Sequence, residues 1–147
     1  MPLRRATIDD VEQLAPLLDA YRQFYNQPAD LELARRFLQT RLIQDESVVF
    51  IYEDNAGQGI GFAQLFPSFS TVSAASIWIL NDLFVEESAR GYGIGRELII
   101  EAARFAKDTG AASMKLSTQI DNVIAQKLYA SQGWQRSDEF YYYGVTF

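Results

Sequence analysis

Seven consecutive residues, Arg90-Gly91-Tyr92-Gly93-Ile94-Gly95-Arg96, carry the most distinctive chemistry in this chain of 147 residues. Glycines at alternate positions remove side chains where the backbone must turn. The residues that follow keep helical spacing, with Ile94, Leu98, Ile99, Ala102 and Phe105 on one face, so the turn opens a helix. The free N–H groups and the dipole at a helix start favour an anion of phosphate size. Arg90 and Arg96 flank the loop and can add charge-assisted bonds. Two familiar phosphate loops do not fit. A P-loop needs Lys-Ser or Lys-Thr after its last glycine, and neither follows here. The dinucleotide fingerprint needs a glycine at its sixth position, which is Arg96 counted from Gly91 and Leu98 counted from Gly93. Without a ligand, the same residues are a glycine-rich strand-to-helix turn. Gly57, Gly59 and Gly61 also alternate, but they lie between β-patterned runs and read as a hairpin.

What is missing narrows the chemistry further. The chain has no His and no Cys. Ser-His-Asp catalysis, His-bound metals, Cys-ligated zinc, disulfides and a thiol nucleophile are therefore excluded. Acid–base work falls to Asp, Glu, Tyr, Lys, the amino terminus or water. With 13 Lys and Arg against 19 Asp and Glu, the net charge is -6, which argues against nucleic acid and favours neutral or cationic partners. Hydrophobic residues make up 48%, enough for one sizeable core, and the length suits a single domain over residues 1–147. The opening MPLRRATIDDVEQL turns acidic too early for a signal peptide, and no apolar run reaches the ~18 residues of a membrane span. A cytoplasmic protein is the expectation.

The elements that must position the loop follow from periodicity. Residues 3–8 read as a short strand. Thr7 and Asp10 make a capping box, and helical spacing continues through Val11, Leu14, Leu18 and Tyr21, with Pro16 expected to kink the helix or delay its start. A second helix runs through Leu31, Ala34, Leu38 and Leu42. Residues 47–53, 60–66 and 75–85 read as an antiparallel meander of three strands. The glycine turn and its helix follow, with Gly110 near its C-terminal cap. Residues 113–118 form another strand, Asn122 opens a short helix ended by Gly133, and residues 140–147 read as an aromatic strand, with a further short strand expected at 134–136. The order β-α-α-β-β-β-α-β-α-β, with a parallel crossover between 78 and 118, implies an α+β fold with a mixed sheet.

In this setting the chain resembles the GNAT family of N-acetyltransferases. Arg90-Gly91-Tyr92-Gly93-Ile94-Gly95 matches that family's Arg/Gln-x-x-Gly-x-Gly/Ala signature at a strand-to-helix turn. A second family segment is matched by Asn122, Ala125, Leu128, Tyr129, Gly133 and Trp134, and the element order agrees along the whole chain. The resemblance implies a splayed mixed sheet flanked by about four helices, holding acetyl-CoA as acyl donor, with no metal. It implies that the amides of Gly91, Tyr92, Gly93, Ile94, Gly95 and Arg96, beside Arg90, bind the pyrophosphate. It implies that the backbone of Leu83, Phe84 and Val85 pairs with the pantetheine arm, that Asn122 lies near that arm, and that Tyr129 stands where many members place the general acid. Leu80-Asn81-Asp82-Leu83-Phe84-Val85 looks like the Leu-Glu-Asp-Phe-Phe-Val strand of the diamine and thialysine branch, with Asn81 replacing its first carboxylate.

Acetyl transfer to an amine poses two proton problems. An alkyl ammonium, with a pKa of about 10, must lose a proton before it attacks, and the departing thiolate, of thiol pKa about 8.5, leaves more easily if protonated. Tyr129 is the candidate donor to sulfur, although an aromatic at its spacing also suits a core. Asp82 is the best-placed carboxylate because a charge inside the apolar run IWILNDLFV needs a reason. It acts as a base through water, anchors a cationic substrate, or is a satisfied carboxylate at a bulge. Asn81 can bond the acceptor or the pantetheine, whereas Glu86 and Glu87 read as solvated. Tyr21, Phe24, Tyr25, Phe66, Phe69 and Trp78 are candidates for the acceptor wall, with Tyr25 and Phe66 foremost. Of Tyr141, Tyr142 and Tyr143, strand alternation exposes at least one, which suits an interface, and many relatives are dimers. The expected function is direct transfer of acetyl from acetyl-CoA to a primary amine of a small molecule in a ternary complex. The alternatives are a protein lysine or N-terminal acetyltransferase, and, in another class, a non-catalytic acyl-CoA-binding module.

Overall fold

Val48–Glu53 (β2), Gly59–Ser70 (β3) and Ala75–Val85 (β4) form the meander that periodicity predicts, each pair antiparallel. Leu3–Arg5 (β1) joins the far side of β2, and Met114–Lys115 (β5) pairs with β4 in parallel, so the sheet order is β1-β2-β3-β4-β5. A computed structural model describes residues 2–147 of the chain, which divide into two compact units at Leu116 and Ser117.

In the first unit the sheet is buried on both faces. Val11–Phe24 (α1) and Leu31–Ile43 (α2) cover one face, where Leu14, Leu18, Ala34 and Leu38 pack with Val49, Ile51, Phe62 and Phe84. Ile94–Asp108 (α3) packs against β2, β3 and β4. It buries Ile94, Leu98, Ile99, Ala102 and Ala106, while Phe105 meets Phe50 edge-on at 5.6 Å. Each large side chain buried this way, such as Phe62 or Leu98, contributes about 1.5–3 kcal/mol. Gly61 permits the close approach of α3. A Cβ there would lie 3.2 Å from the Phe84 carbonyl and 3.4 Å from Ile94. The hairpin reading of this glycine missed its second duty as a seat for the helix that follows the glycine turn.

Pro16 lies inside α1 and does not delay it. The Thr7–Asp10 capping box has already formed a turn upstream, so the helix is nucleated before the proline is reached. Arg4 secures that start by donating to Asp10 at 2.7 and 3.0 Å and to Glu53 at 2.6 Å. Those hydrogen bonds hold the buried Asp10 carboxyl below the usual carboxylate range.

β3 and β4 outrun their neighbours. β2 ends opposite Leu65, yet β3 continues to Ser70 with β4 as its partner. Pro67 sits in that extension opposite Trp78. The Trp78 N–H donates to the Ser113 carbonyl at 3.1 Å, away from β3. Antiparallel partners point their backbone groups alike, both inward or both outward. The Pro67 nitrogen is therefore turned from β4 toward the side where β2 has already ended, and no ladder bond is lost.

The second unit holds Val123–Ser131 (α4), capped by Asn122 and followed by Gly133 at φ +85°. The strand expected over 113–118 contracts to Met114–Lys115, and the one over 3–8 to Leu3–Arg5. The strands expected at 134–136 and 140–147 do not form. A strand needs a neighbour to take its N–H and C=O groups, and aromatic and β-branched residues do not by themselves supply one. No helix among the described residues is long and apolar enough to cross a membrane.

Candidate active site

The route from β4 into α3 is built by glycine conformation. After Val85 a single 3-10 turn, Glu87–Ala89, leads to Arg90 in extended backbone. Gly91 then takes φ +87°, and Gly93, the N-cap of α3, takes φ +80°. Left-handed backbone costs other residues about 1–2 kcal/mol. Gly93 offers no side-chain cap, so the first N–H groups of α3 rely on partners from elsewhere. A Cβ placed at Gly91 or Gly93 would meet nothing within 4 Å, so the backbone face of the turn is open. Ile94 is buried and pins the helix start, Gly95 and Arg96 occupy the first helical turn, and Tyr92 is exposed. Arg90 braces the turn. Its Nε donates to the Val85 carbonyl at 2.8 Å, and its guanidinium lies over the rings of Phe84 and Phe24, 5.5 and 5.8 Å from their centres.

Among the described strands, none pairs with the β4 edge leading to this turn. β5 meets β4 only at Trp78 and Ile79. Beyond Ile79 no described strand lies on that side of β4. The Glu86 N–H donates inward to the Ile60 carbonyl, so by alternation Phe84 and Asp82 also direct their backbone groups toward β3. Leu83 and Val85 therefore face outward, and Arg90 takes the Val85 carbonyl. Of the three residues expected to offer backbone bonds, Leu83 and Val85 present theirs on the open side, and Phe84 gives its backbone to the sheet and its ring to the core.

Asp82 is held on the α1 face at a kink in the ladder. Gln64 pairs with Asp82 and Leu65 with Leu80, so Asn81 is the extra residue of a bulge. Asp82 is only 8% exposed. Gln64 Nε2 donates to its Oδ2 at 2.8 Å, and Asn81 Nδ2 donates to both oxygens at 3.0 Å. The Tyr21 hydroxyl also bonds it. Burial first, and then the Asp82 charge, push Tyr21 ionisation well above its ordinary value, so this hydroxyl stays protonated and donates. All three partners are neutral and leave the carboxylate charge uncancelled. Gln64 itself is 1% exposed, and its Oε1 lacks a hydrogen-bond partner.

Aromatic rings surround this cluster. Tyr21 stands edge-on to Tyr25, Phe62 and Phe84 at 5.1, 5.9 and 5.8 Å, and Phe24 meets Tyr25 at 5.2 Å. Alternation places Phe66 on the same face as Gln64, half-buried opposite Ile79. Trp78 leaves the acceptor wall: its ring lies 5.3 Å from Phe105, and its Nε1 donates to Thr109 of the α3 C-cap. Phe69 is 79% exposed. Glu87 is exposed, but Glu86 is half-buried and accepts from Ser88 Oγ at 2.7 Å, so it is not simply solvated.

The structure thus brings Asp82, Asn81, Tyr21 and Tyr25 together, and joins β4 to the glycine turn. Gln64 was missed, although an amide in the apolar run GIGFAQLF was the available signal. In the second unit, the Asn122 side chain accepts the Ala125 N–H at 3.2 Å as the α4 cap. Tyr129, seven residues on in the same helix, lies 6.1 Å from the Trp134 ring. Among the described residues no cluster of acidic side chains could hold a metal ion.

Comparison with known proteins bears on this geometry. The family described as Acetyltransferase (GNAT) family matches residues 13–134. An uncharacterised N-acetyltransferase of Bacillus subtilis is 43% identical over 97% of this chain and 95% of its own. A crystal structure of a probable acetyltransferase, 38% identical, superposes with a TM-score of 0.92 over 100% of this chain and 98% of that one. The thialysine N-epsilon-acetyltransferase of Bos taurus is 33% identical over 52% of this chain and 44% of its own.

Proposed function

This chain belongs to the acetyltransferase (GNAT) family and is an acyltransferase enzyme, and from that premise we infer that it moves acetyl from acetyl-CoA to a primary amine of a small molecule. The observation that carries this reading is the open edge of β4 running into an uncapped glycine turn, with a buried carboxylate three residues before Val85. A strand edge suits the amides of a pantetheine arm, and an open helix N-terminus suits a pyrophosphate. The amides of Gly91, Tyr92, Gly93, Ile94, Gly95 and Arg96 hold the pyrophosphate, with Arg90 bracing them from behind. Leu83 and Val85 hold the arm, and Asn122 lies near it. Acetyl-CoA supplies the activated acetyl thioester.

Asp82 attracts the ammonium form of the acceptor and takes its proton, directly or through water. Tyr25, Asn81 and Phe66 wall the acceptor. The amine nitrogen then forms its bond to the acetyl carbon and the carbon–sulfur bond breaks; the Tyr129 hydroxyl protonates the departing sulfur, and the proton lost from the new amide nitrogen returns through water to restore that hydroxyl. A small cationic amine suits both the uncancelled charge of Asp82 and the likeness to a thialysine acetyltransferase. The whole chain works as one cytoplasmic N-acetyltransferase domain in a homodimer.

Thiol release from acetyl-CoA across polyamines, lysine analogues, aminoglycosides, aromatic amines, amino acids and short peptides tests the reading. Release that depends on a small cationic amine is expected. Release only with peptides would move the acceptor to protein, and release equal to the no-acceptor control throughout would refute acetyl transfer to these amines. With the acceptor found, Tyr129→Phe is expected to lower kcat by about 10²-fold or more and to leave acetyl-CoA affinity nearly unchanged. An unaltered kcat removes Tyr129 from the mechanism.

A further inference from the structure

We propose that Gln64 is a positioning residue for acyl transfer, holding the Asp82 carboxylate in the orientation that meets the acceptor amine. The inference deepens the acyl-transfer reading and rests on it. It starts from a buried amide that the fold alone does not explain. Gln64 is 1% exposed, in the apolar run GIGFAQLF of β3. Met or Leu would occupy that place and bury no polar group. The amide instead buries a carbonyl oxygen, Oε1, that has no hydrogen-bond partner among the described residues. A polar group buried at such a cost calls for a reason outside packing.

The reason lies in its other end. Gln64 Nε2 donates to Asp82 Oδ2 at 2.8 Å. The reverse orientation of the amide fails, because Oε1 would then face a carboxylate oxygen with no proton between them. The bond crosses from β3 to β4 where Asn81 bulges out of the ladder. A bulge disrupts local pairing and re-aims the side chains beside it. The carboxylate just beyond it therefore needs a support from outside its own strand. β3 is such a support, since Gln64 pairs with Val49 of β2 on one side and with Asp82 on the other.

The other two donors hold the carboxylate less firmly. Asn81 is exposed and can turn to water, and Tyr21 reaches Asp82 from α1 through a hydroxyl that rotates. Of the three, Gln64 alone is fully buried and anchored in a strand paired on both sides. A misplacement of about 1 Å at a reacting group can cost about 10²-fold in rate, so a fixed amide beside the base is a lever on turnover.

Gln64→Met removes the donor and keeps an unbranched side chain. At saturating amine its kcat is expected to fall about 10- to 100-fold, with acetyl-CoA affinity unchanged and a cooperative melt. The decisive measurement repeats the substitution on an Asp82→Asn background. There Gln64→Met is expected to cost almost nothing further, because the carboxylate that it positions is gone. A residue that only supports the fold would lower kcat by the same factor on both backgrounds, and that result would overturn the proposal. So would an unchanged kcat in Gln64→Met when the unaltered chain turns over. Absence of turnover in the unaltered chain with every amine would instead overturn the acyl-transfer reading, and the role of Gln64 with it. Should Gln64→Met fail to fold, Gln64→Glu keeps the shape, replaces the donated N–H by an oxygen and carries the same cycle.

Discussion

Gly93→Glu is expected to weaken acetyl-CoA affinity at least ~100-fold, a loss of about 3 kcal/mol. Two effects add. Gly93 holds φ +80°, so any side chain adds about 1–2 kcal/mol of backbone strain. The new carboxylate also stands at the mouth of α3. About 4 Å from a pyrophosphate charge, it would cost between ~1 and ~4 kcal/mol, depending on how much water screens the pair. Nothing lies within 4 Å of a Cβ added at Gly93, so the first atom of the new side chain meets open space. Gly93→Ala separates the two effects, since it has the strain without the charge, and is expected to lose about 5- to 30-fold at most. Calorimetric titration with acetyl-CoA measures both variants. Affinity retained by Gly93→Glu would show that the turn does not hold the pyrophosphate.

Asp82→Asn is expected to slow turnover by about 10²–10⁴-fold, the range for loss of a positioned acid–base group. Acetyl-CoA affinity should stay nearly constant, because Asp82 directs its side chain to the α1 face and its backbone to β3. Asn keeps the shape and one acceptor oxygen, but it removes the charge and faces Gln64, Asn81 and Tyr21 with one acceptor fewer. A stability loss of about 1–2 kcal/mol follows from that deficit. Steady-state kinetics at saturating amine, with a melting curve as control, decide the matter. An unchanged kcat with an intact fold would make Asp82 a structural carboxylate.

What the sequence makes legible is mostly local. The glycine turn can be read because its demands fall within one window: residues without a Cβ where φ is positive, then helical spacing from Ile94 onward. Asn122 and Gly133 are legible for the same reason, as a cap and a stop around nine helical residues. Asp82 stands out as a charge in an apolar run and Gln64 as an amide in another, but their pairing does not, because it depends on register between strands 18 residues apart. Trp78 shows the limit most clearly. It is four residues before Asp82, so strict alternation puts both on one face. The bulge at Asn81 inserts one residue and reverses that parity, sending Trp78 to Phe105 and Asp82 to Tyr21. The aromatic end marks the limit of composition as a guide. FYYYGVTF has the residues of a strand, but a strand is a relation between two segments, and its own sequence does not say where the partner lies.

Pro67 bears on how the protein behaves at high concentration. Where β3 outruns β2, its free side would otherwise present an unbroken row of donors to any extended chain that collided with it. The proline nitrogen faces that side, so an incoming strand finds a missing bond and a ring in its path. Chance stacking of one molecule on another is thereby penalised at this margin, and growth of open-ended aggregates through it is suppressed. The long hairpin can extend past its neighbour without seeding fibres.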